Sequence, residues 1–128
     1  VKIDCSKEKT KIDRWKKICQ AASEQSFRSD IPEISSILTL QDLVDLNYDL
    51  KLLCSLNKNT KNIKKILEKN NKCVKILLVV GPEGGFDPLE EENIIKNGFK
   101  SVSLGDNVLR AETAPVVALS MINYEFMR

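Results

Sequence analysis

The stretch KILLVVGPEGGFDPLEEENIIKNG, residues 75–98, decides the fold. Its first six residues, Lys75 to Val80, hold a continuous apolar run of strand length. Such runs typify strands covered on both faces, as in parallel sheets. Gly81-Pro82 ends the run, and Asp87 then offers a side chain that can cap a helix. Pro88 suits the first helical position, and Glu90 stands three residues after the cap. Glu91 and Glu92 put negative charge where the helix dipole favours it. Gly98 supplies the stop.

Working outward, Phe99 to Leu104 reads as another strand, followed by a loop at Gly105 to Leu109. A last helix is predicted from Glu112 to Phe126. It is apolar on several sides (Ala114, Val116, Val117, Leu119, Met121, Ile122 and Tyr124), so it belongs in a core or at a subunit interface. Upstream, Lys51 to Leu56 is a buried strand. Asn59 or Thr60 can cap a helix whose apolar face is Ile63, Ile66 and Leu67. Ile37 to Leu46 is a short helix, and Ser26 to Ser35 a loop around Pro32. Ile12, Trp15, Ile18, Cys19 and Ala22 recur at helical spacing, predicting an amphipathic helix over Lys11 to Gln25. Strands alternating with helices across short loops indicate an α/β domain with a mostly parallel sheet and helices on both faces.

Composition bounds the chemistry. The 128 residues fit one domain with its own core, 42% hydrophobic and 30% charged. No apolar run approaches the roughly 20 residues of a membrane-spanning helix. Cys5, Cys19, Cys54 and Cys73 are widely and irregularly spaced, and there is no histidine. That composition argues against a zinc site and removes Ser-His and Cys-His nucleophiles. With no signal-like start, reduced thiols and a cytoplasmic location are expected. Any chemistry must use carboxylates, arginine, backbone dipoles or a cofactor.

Net charge is only +2, but it is unevenly spread. Lys58, Lys61, Lys64, Lys65, Lys69, Lys72 and Lys75 are opposed within their stretch by Glu68 alone. Lys2, Lys7, Lys9, Lys11, Arg14, Lys16, Lys17 and Arg28 make a second basic stretch. Such patches suit a polyanion, and they equally suit a solvated helix face.

Two loops have the composition of a binding site. In Gly81-Pro82-Glu83-Gly84-Gly85-Phe86, the glycines let backbone approach a ligand closely. The loop follows the carboxyl end of a predicted parallel strand, where ligands bind in such sheets. It lacks the GK[ST] ending of a phosphate-binding P-loop. The second loop is LGDNVLRAETA, Leu104 to Ala114. There Arg110 can hold a phosphate or carboxylate bidentately, or pair with Glu112 or Glu83. Glu112 and Thr113 also suit helix capping.

Together AASEQSFR (residues 21–28), IPEI (31–34), GPEGGF (81–86) and LGDNVLRAETA (104–114) resemble one family. It is the RsmE-type 16S ribosomal RNA uridine-N3 methyltransferases of the SPOUT class. The resemblance runs from about Arg14 to the C-terminus. It implies a deep trefoil knot at the C-terminal end of the sheet, holding S-adenosylmethionine in a bent form. By position, Leu78, Val80, Gly81, Pro82, Glu83 and Gly84 would line that pocket with Leu104, Gly105, Val108 and Leu109, while Thr113 and Ala114 would complete it. Arg110, Glu112 and Glu83 would be catalytic, and Gln25, Arg28 and Arg110 would meet the RNA. A homodimer, 16S ribosomal RNA of the 30S subunit as partner, and no metal are implied. Members also carry an N-terminal barrel domain and a first strand and helix of the knotted domain, and the resemblance implies that residues 1–128 correspond to the part that follows them. Another SPOUT enzyme acting on transfer or ribosomal RNA, or a non-catalytic RNA-binding knot module, would share much of this pattern.

Overall fold

The computed structural model describes residues 4–57, 60–73 and 75–127. The chain divides into two compact units, with the break between Thr39 and Leu40.

The first unit is built on one helix, α1 (Cys5–Gln25). It begins six residues before the predicted Lys11, because the Asp4 carboxylate accepts from the Ser6 amide at 3.2 Å and so caps an earlier turn. The expected apolar stripe is only partly covered: Trp15 is 37% and Ile18 55% exposed. A unit with a single helix has no second layer to bury that face. After α1 the backbone is irregular, as the Pro32 region predicts, and the Ile37 amide donates to Glu8 at 3.1 Å.

The second unit holds α2 (Leu40–Val44), β1 (Leu50–Cys54), β2 (Lys61–Asn62), α3 (Ile63–Lys69), β3 (Ile76–Val80), α4 (Pro88–Lys96), β4 (Lys100–Ser103) and α5 (Thr113–Phe126). The strands form one sheet in the order β2-β4-β1-β3, and each pairing is parallel. β1 is central, with Leu52 opposite Leu78 of β3 and Lys100 of β4. Alternation divides its side chains between two cores. Leu50 and Leu52 pack with Ile63, Ile66 and Leu67 of α3, Val102 of β4, and Met121, Ile122 and Phe126 of α5. Leu53 packs on the other face with Val79, Ile94 of α4 and Phe99, flanked by Leu40 and Leu43 of α2. Helices thus cover both faces, as expected. Lys51, pointing to the second face, reaches out to donate to the Val44 carbonyl at 3.0 Å while its ammonium lies 5.4 Å from the Phe99 ring centre.

Several predicted boundaries shift for local reasons. Asn62 caps α3, its side chain accepting from the Lys64 amide at 2.9 Å. Thr60 does not, since its hydroxyl donates to the Asn57 carbonyl; Asn59 lies outside the described residues. The predicted Ile37 to Leu46 helix shrinks to α2, with residues 37–39 irregular. Asp87 caps α4 as expected, accepting from Leu89 at 2.8 Å. The helix ends in a Schellman motif: Gly98 donates to Ile95, Phe99 donates to Ile94, and Gly98 adopts φ 95°. The two apolar members of that motif, Ile94 and Phe99, share a core. At α5 neither Glu112 nor Thr113 caps by side chain. The Arg110 carbonyl instead takes the amides of Thr113 and Ala114, each at 2.9 Å.

Candidate functional site

The carboxyl ends of β1, β3 and β4 lie side by side, so the loops leaving them surround one cleft of about 490 Å³. That volume lies in the ~300–1,000 Å³ range of small-molecule sites. From β3 come Val80, Gly81, Pro82, Glu83 and Gly85. From β4 come Val102, Ser103, Leu104 and Gly105, followed by Asp106 to Leu109 and Ala111. Ala114, buried at the start of α5, closes the inner end.

Two glycines shape these walls. A Cβ on Gly81 would lie 2.8 Å from the Phe86 ring, so the ring packs directly on bare backbone. Gly105 adopts φ 138°, where an L side chain is strained although its Cβ would touch nothing within 4 Å. Ser103 fixes this turn, its hydroxyl donating to the Gly105 carbonyl at 2.9 Å and accepting from the Gly105 amide at 3.2 Å.

The structure thus gathers Val80, Gly81, Pro82, Glu83, Leu104, Gly105, Val108, Leu109 and Ala114 from the residues expected in the pocket. Leu78 instead faces the core shared with α3 and α5. Gly84 lines a neighbouring cleft of about 470 Å³ with Phe86 and Ile95. Thr113, Arg110 and Glu112 are exposed and outside the lining, although Leu109 and Ala111 on either side of Arg110 belong to it. Among the described residues no ion pair joins Arg110 to Glu83 or Glu112, so the structural pairing is not formed. Gln25 and Arg28 belong to the first unit, where both are exposed and Arg28 lies 3.4 Å from Asp30.

A third wall was missed from the sequence. Cys54, Ser55, Leu56 and Asn57, at the end of β1, line the cleft with Thr60 and Asn62. These residues include no glycine pair or charged motif. The available signal was topological, since every parallel strand beside a ligand loop also ends there. Burial pushes the Cys54 thiol up to about 11, so it faces the cleft as a neutral thiol at neutral pH. Ser55 donates its hydroxyl to Glu91 of α4, whose same oxygen also accepts from Ser101 at 3.4 Å. The serine hydroxyl in turn accepts from the Asn57 amide at 3.0 Å. One carboxylate therefore ties β1, β4 and α4 together under the third wall. Glu91→Ala is expected to lower unfolding stability by about 1.5 kcal/mol in urea titrations, the lower end for charged hydrogen bonds because Glu91 is half-buried. Glu91→Gln, which keeps an acceptor, should recover most of that loss; equal losses in both variants would refute the tie.

The RNA methyltransferase domain family model matches residues 1–123. The chain belongs to that family. Among its relatives, the ribosomal RNA small subunit methyltransferase E of Bacillus subtilis is 34% identical over 98% of the chain. That of Synechocystis is 40% identical over 88% of the chain. The chain spans 51% and 38% of these relatives' lengths. Among solved structures, the corresponding Neisseria gonorrhoeae enzyme bound to S-adenosyl methionine has a TM-score of 0.78, at 30% identity over 98% of this chain and 50% of its own. A Legionella pneumophila structure with bound SAM has a TM-score of 0.84, at 33% identity over 97% of this chain and 50% of its own. With such relatives, the paired GPEGGF and LGDNVLRAETA loops of this family member acquire a common setting: both enter the same cleft.

Proposed function

We propose that this chain carries the cofactor-binding and catalytic part of an enzyme that methylates N3 of a uridine in 16S ribosomal RNA. The observation that carries this reading is the convergence of both motif loops on one cleft at the carboxyl ends of parallel strands. The names of the relatives, and SAM bound in structures of the same fold, support the choice of cofactor and RNA class.

The cleft fits S-adenosylmethionine on its own chemistry. Apolar Val80, Leu104, Val108 and Leu109 suit an adenine face, while the bare backbone at Gly105 can be approached without side-chain obstruction. Bound there, the cofactor supplies an electrophilic methyl group. The protein then has chiefly to align the acceptor, and orientation of this kind contributes roughly 7–11 kcal/mol of barrier reduction. Uridine N3 must lose a proton to become a good nucleophile. Glu83, in the cleft wall, and Glu112, exposed near it in sequence, are the candidate bases; a positioned base contributes about 10²–10⁴-fold. Arg110, free of an ion pair among the described residues, holds the nucleotide phosphate or the developing anion. Gln25 and Arg28 contact the RNA, and Gly84, Leu78 and Thr113 support the pocket from outside its lining.

The C-terminal segment forms a deep trefoil knot in this reading, and a second copy of the chain completes the enzyme. The outer side of α5 favours such a dimer: Val116 is 64%, Leu119 51% and Tyr124 80% exposed, an apolar stripe at helical spacing. Lys61, Lys64, Lys65, Lys69 and Lys72 are exposed and without ion pairs among the described residues, which favours RNA as the substrate. No described helix is long and apolar enough to cross a membrane.

Calorimetric titration of the chain with S-adenosylmethionine, and with its demethylated product, tests the reading. Binding of both with one-to-one stoichiometry per chain is expected. Absence of heat with either ligand at millimolar concentration would sink it.

A further inference from the structure

We propose that Phe27 is a stacking platform for an unpaired nucleobase of the RNA, with Arg28, the next residue in sequence, meeting a phosphate. The inference rests on the RNA reading above but assigns a residue that reading does not use. Phe27 is 95% exposed, so its ring contributes almost nothing to any core of the chain. It also sits at φ 57°, the one non-glycine residue with positive φ among those described. For a bulky side chain that conformation is an outlier, and strain of this kind gathers at functional positions.

The backbone shows why the strain persists. Phe27 occupies the left-handed position that closes α1: its amide donates to Glu24, and the Arg28 amide donates to Ser23 at 2.9 Å. The Ser26 hydroxyl also returns to the Ala22 carbonyl at 2.8 Å. This is the same helix-ending motif that Gly98 completes after α4. Glycine would serve the turn without strain and without an exposed ring. Folding therefore explains the turn and leaves the aromatic ring unexplained.

What the ring offers is a flat apolar face held away from the protein on a fixed backbone. Single-stranded RNA is recognised by this means, with bases stacked on aromatic rings and arginine planes beside phosphate contacts. Arg28 follows directly, and among the described residues its guanidinium is engaged only by the exposed Asp30 at 3.4 Å. Lys16 and Lys17 on the preceding helix are exposed and carry no ion pair among the described residues.

The test uses fluorescence anisotropy with the 128-residue chain and a fluorescein-labelled, unstructured 20-nucleotide RNA over a KCl series. Phe27→Gly is expected to weaken binding about 5- to 150-fold. Its melting temperature should stay level or rise, because glycine relieves the strain. The salt dependence should keep its slope, since a stacked base releases no counterions. Phe27→Tyr should bind as wild type does. Arg28→Ala, by contrast, should reduce the slope by about 0.7. Wild-type affinity in Phe27→Gly would overturn the proposal. So would a loss that tracks dissociation of a dimer in sedimentation, which would make the ring a contact with a second copy. A wild-type chain that binds no RNA also overturns it, while the S-adenosylmethionine titration of the same preparation still judges the methyltransferase reading separately.

Discussion

Gly105→Ala is expected to raise the dissociation constant for S-adenosylmethionine about 30-fold while leaving the fold nearly as stable. The new methyl group meets no neighbour, so the whole effect comes from φ 138°. Forcing an L residue into such a conformation costs about 1–3 kcal/mol. The loop around Gly105 is exposed from 105 to 108 and can relax without unpacking the sheet. Relaxation moves it out of the cleft-forming conformation that the Ser103 hydroxyl holds in glycine form. Binding must then restore the strained state, and a competent fraction reduced by ~2 kcal/mol raises the apparent constant ~30-fold. Gly98→Ala supplies the contrast. Its φ of 95° lies in the cap of α4, where relaxation would disturb the Ile94–Phe99 contact. Melting temperature should fall there with cofactor affinity unchanged. Calorimetric titration and thermal melts on the two variants separate these outcomes. Equal affinity in Gly105→Ala and wild type would show that the loop conformation is not the one that binds.

The largest effect on stability is expected at Leu52. It is 0% exposed, on the central strand, and packed among Ile63, Ile66, Leu67 and Val102. Leu52→Ala removes atoms that neighbours on a rigid sheet cannot replace, and such cavities cost about 2–5 kcal/mol. At this chain length that corresponds to a melting temperature lower by roughly 7–19 °C. Leu56→Ala deletes the same atoms four positions later, where the side chain is 52% exposed. Its cost should be within about 0.5 kcal/mol, as for other surface substitutions. Denaturant titration of both variants checks the pair; similar losses would mean that Leu56 is part of the core in solution.

Those two leucines show where sequence reading stopped. Lys51 to Leu56 reads as one strand, KLLCSL, and nothing within it marks Cys54 as the strand's last residue. The hydrogen-bonded register sets that limit, with Cys54 opposite both Val80 and Val102. Beyond it Leu56 turns from core into cleft wall. The same register made the third wall of the site, which no local motif announced. Arg110 is the converse case. Its residue type and neighbours singled it out, yet its freedom from Glu83 and Glu112 is a property of the folded loop.

The stretch from Lys75 to Gly98 by itself determined a strand, a glycine loop and a capped helix. Each of these rests on interactions within a few residues: apolar continuity, the Asp87 cap, the left-handed Gly98. The pairing of GPEGGF with LGDNVLRAETA likewise carried the family. Only the tertiary structure decided that Val80, Leu104 and Ser55 border one cleft, that Leu78 turns away from it, and that Phe27 stands exposed on a strained backbone. Side-chain direction in a strand flips with each residue, and neighbours in a parallel sheet are chosen across dozens of residues of chain. Local sequence encodes the elements, whereas the order β2-β4-β1-β3 that joins their ends is settled by which faces bury one another.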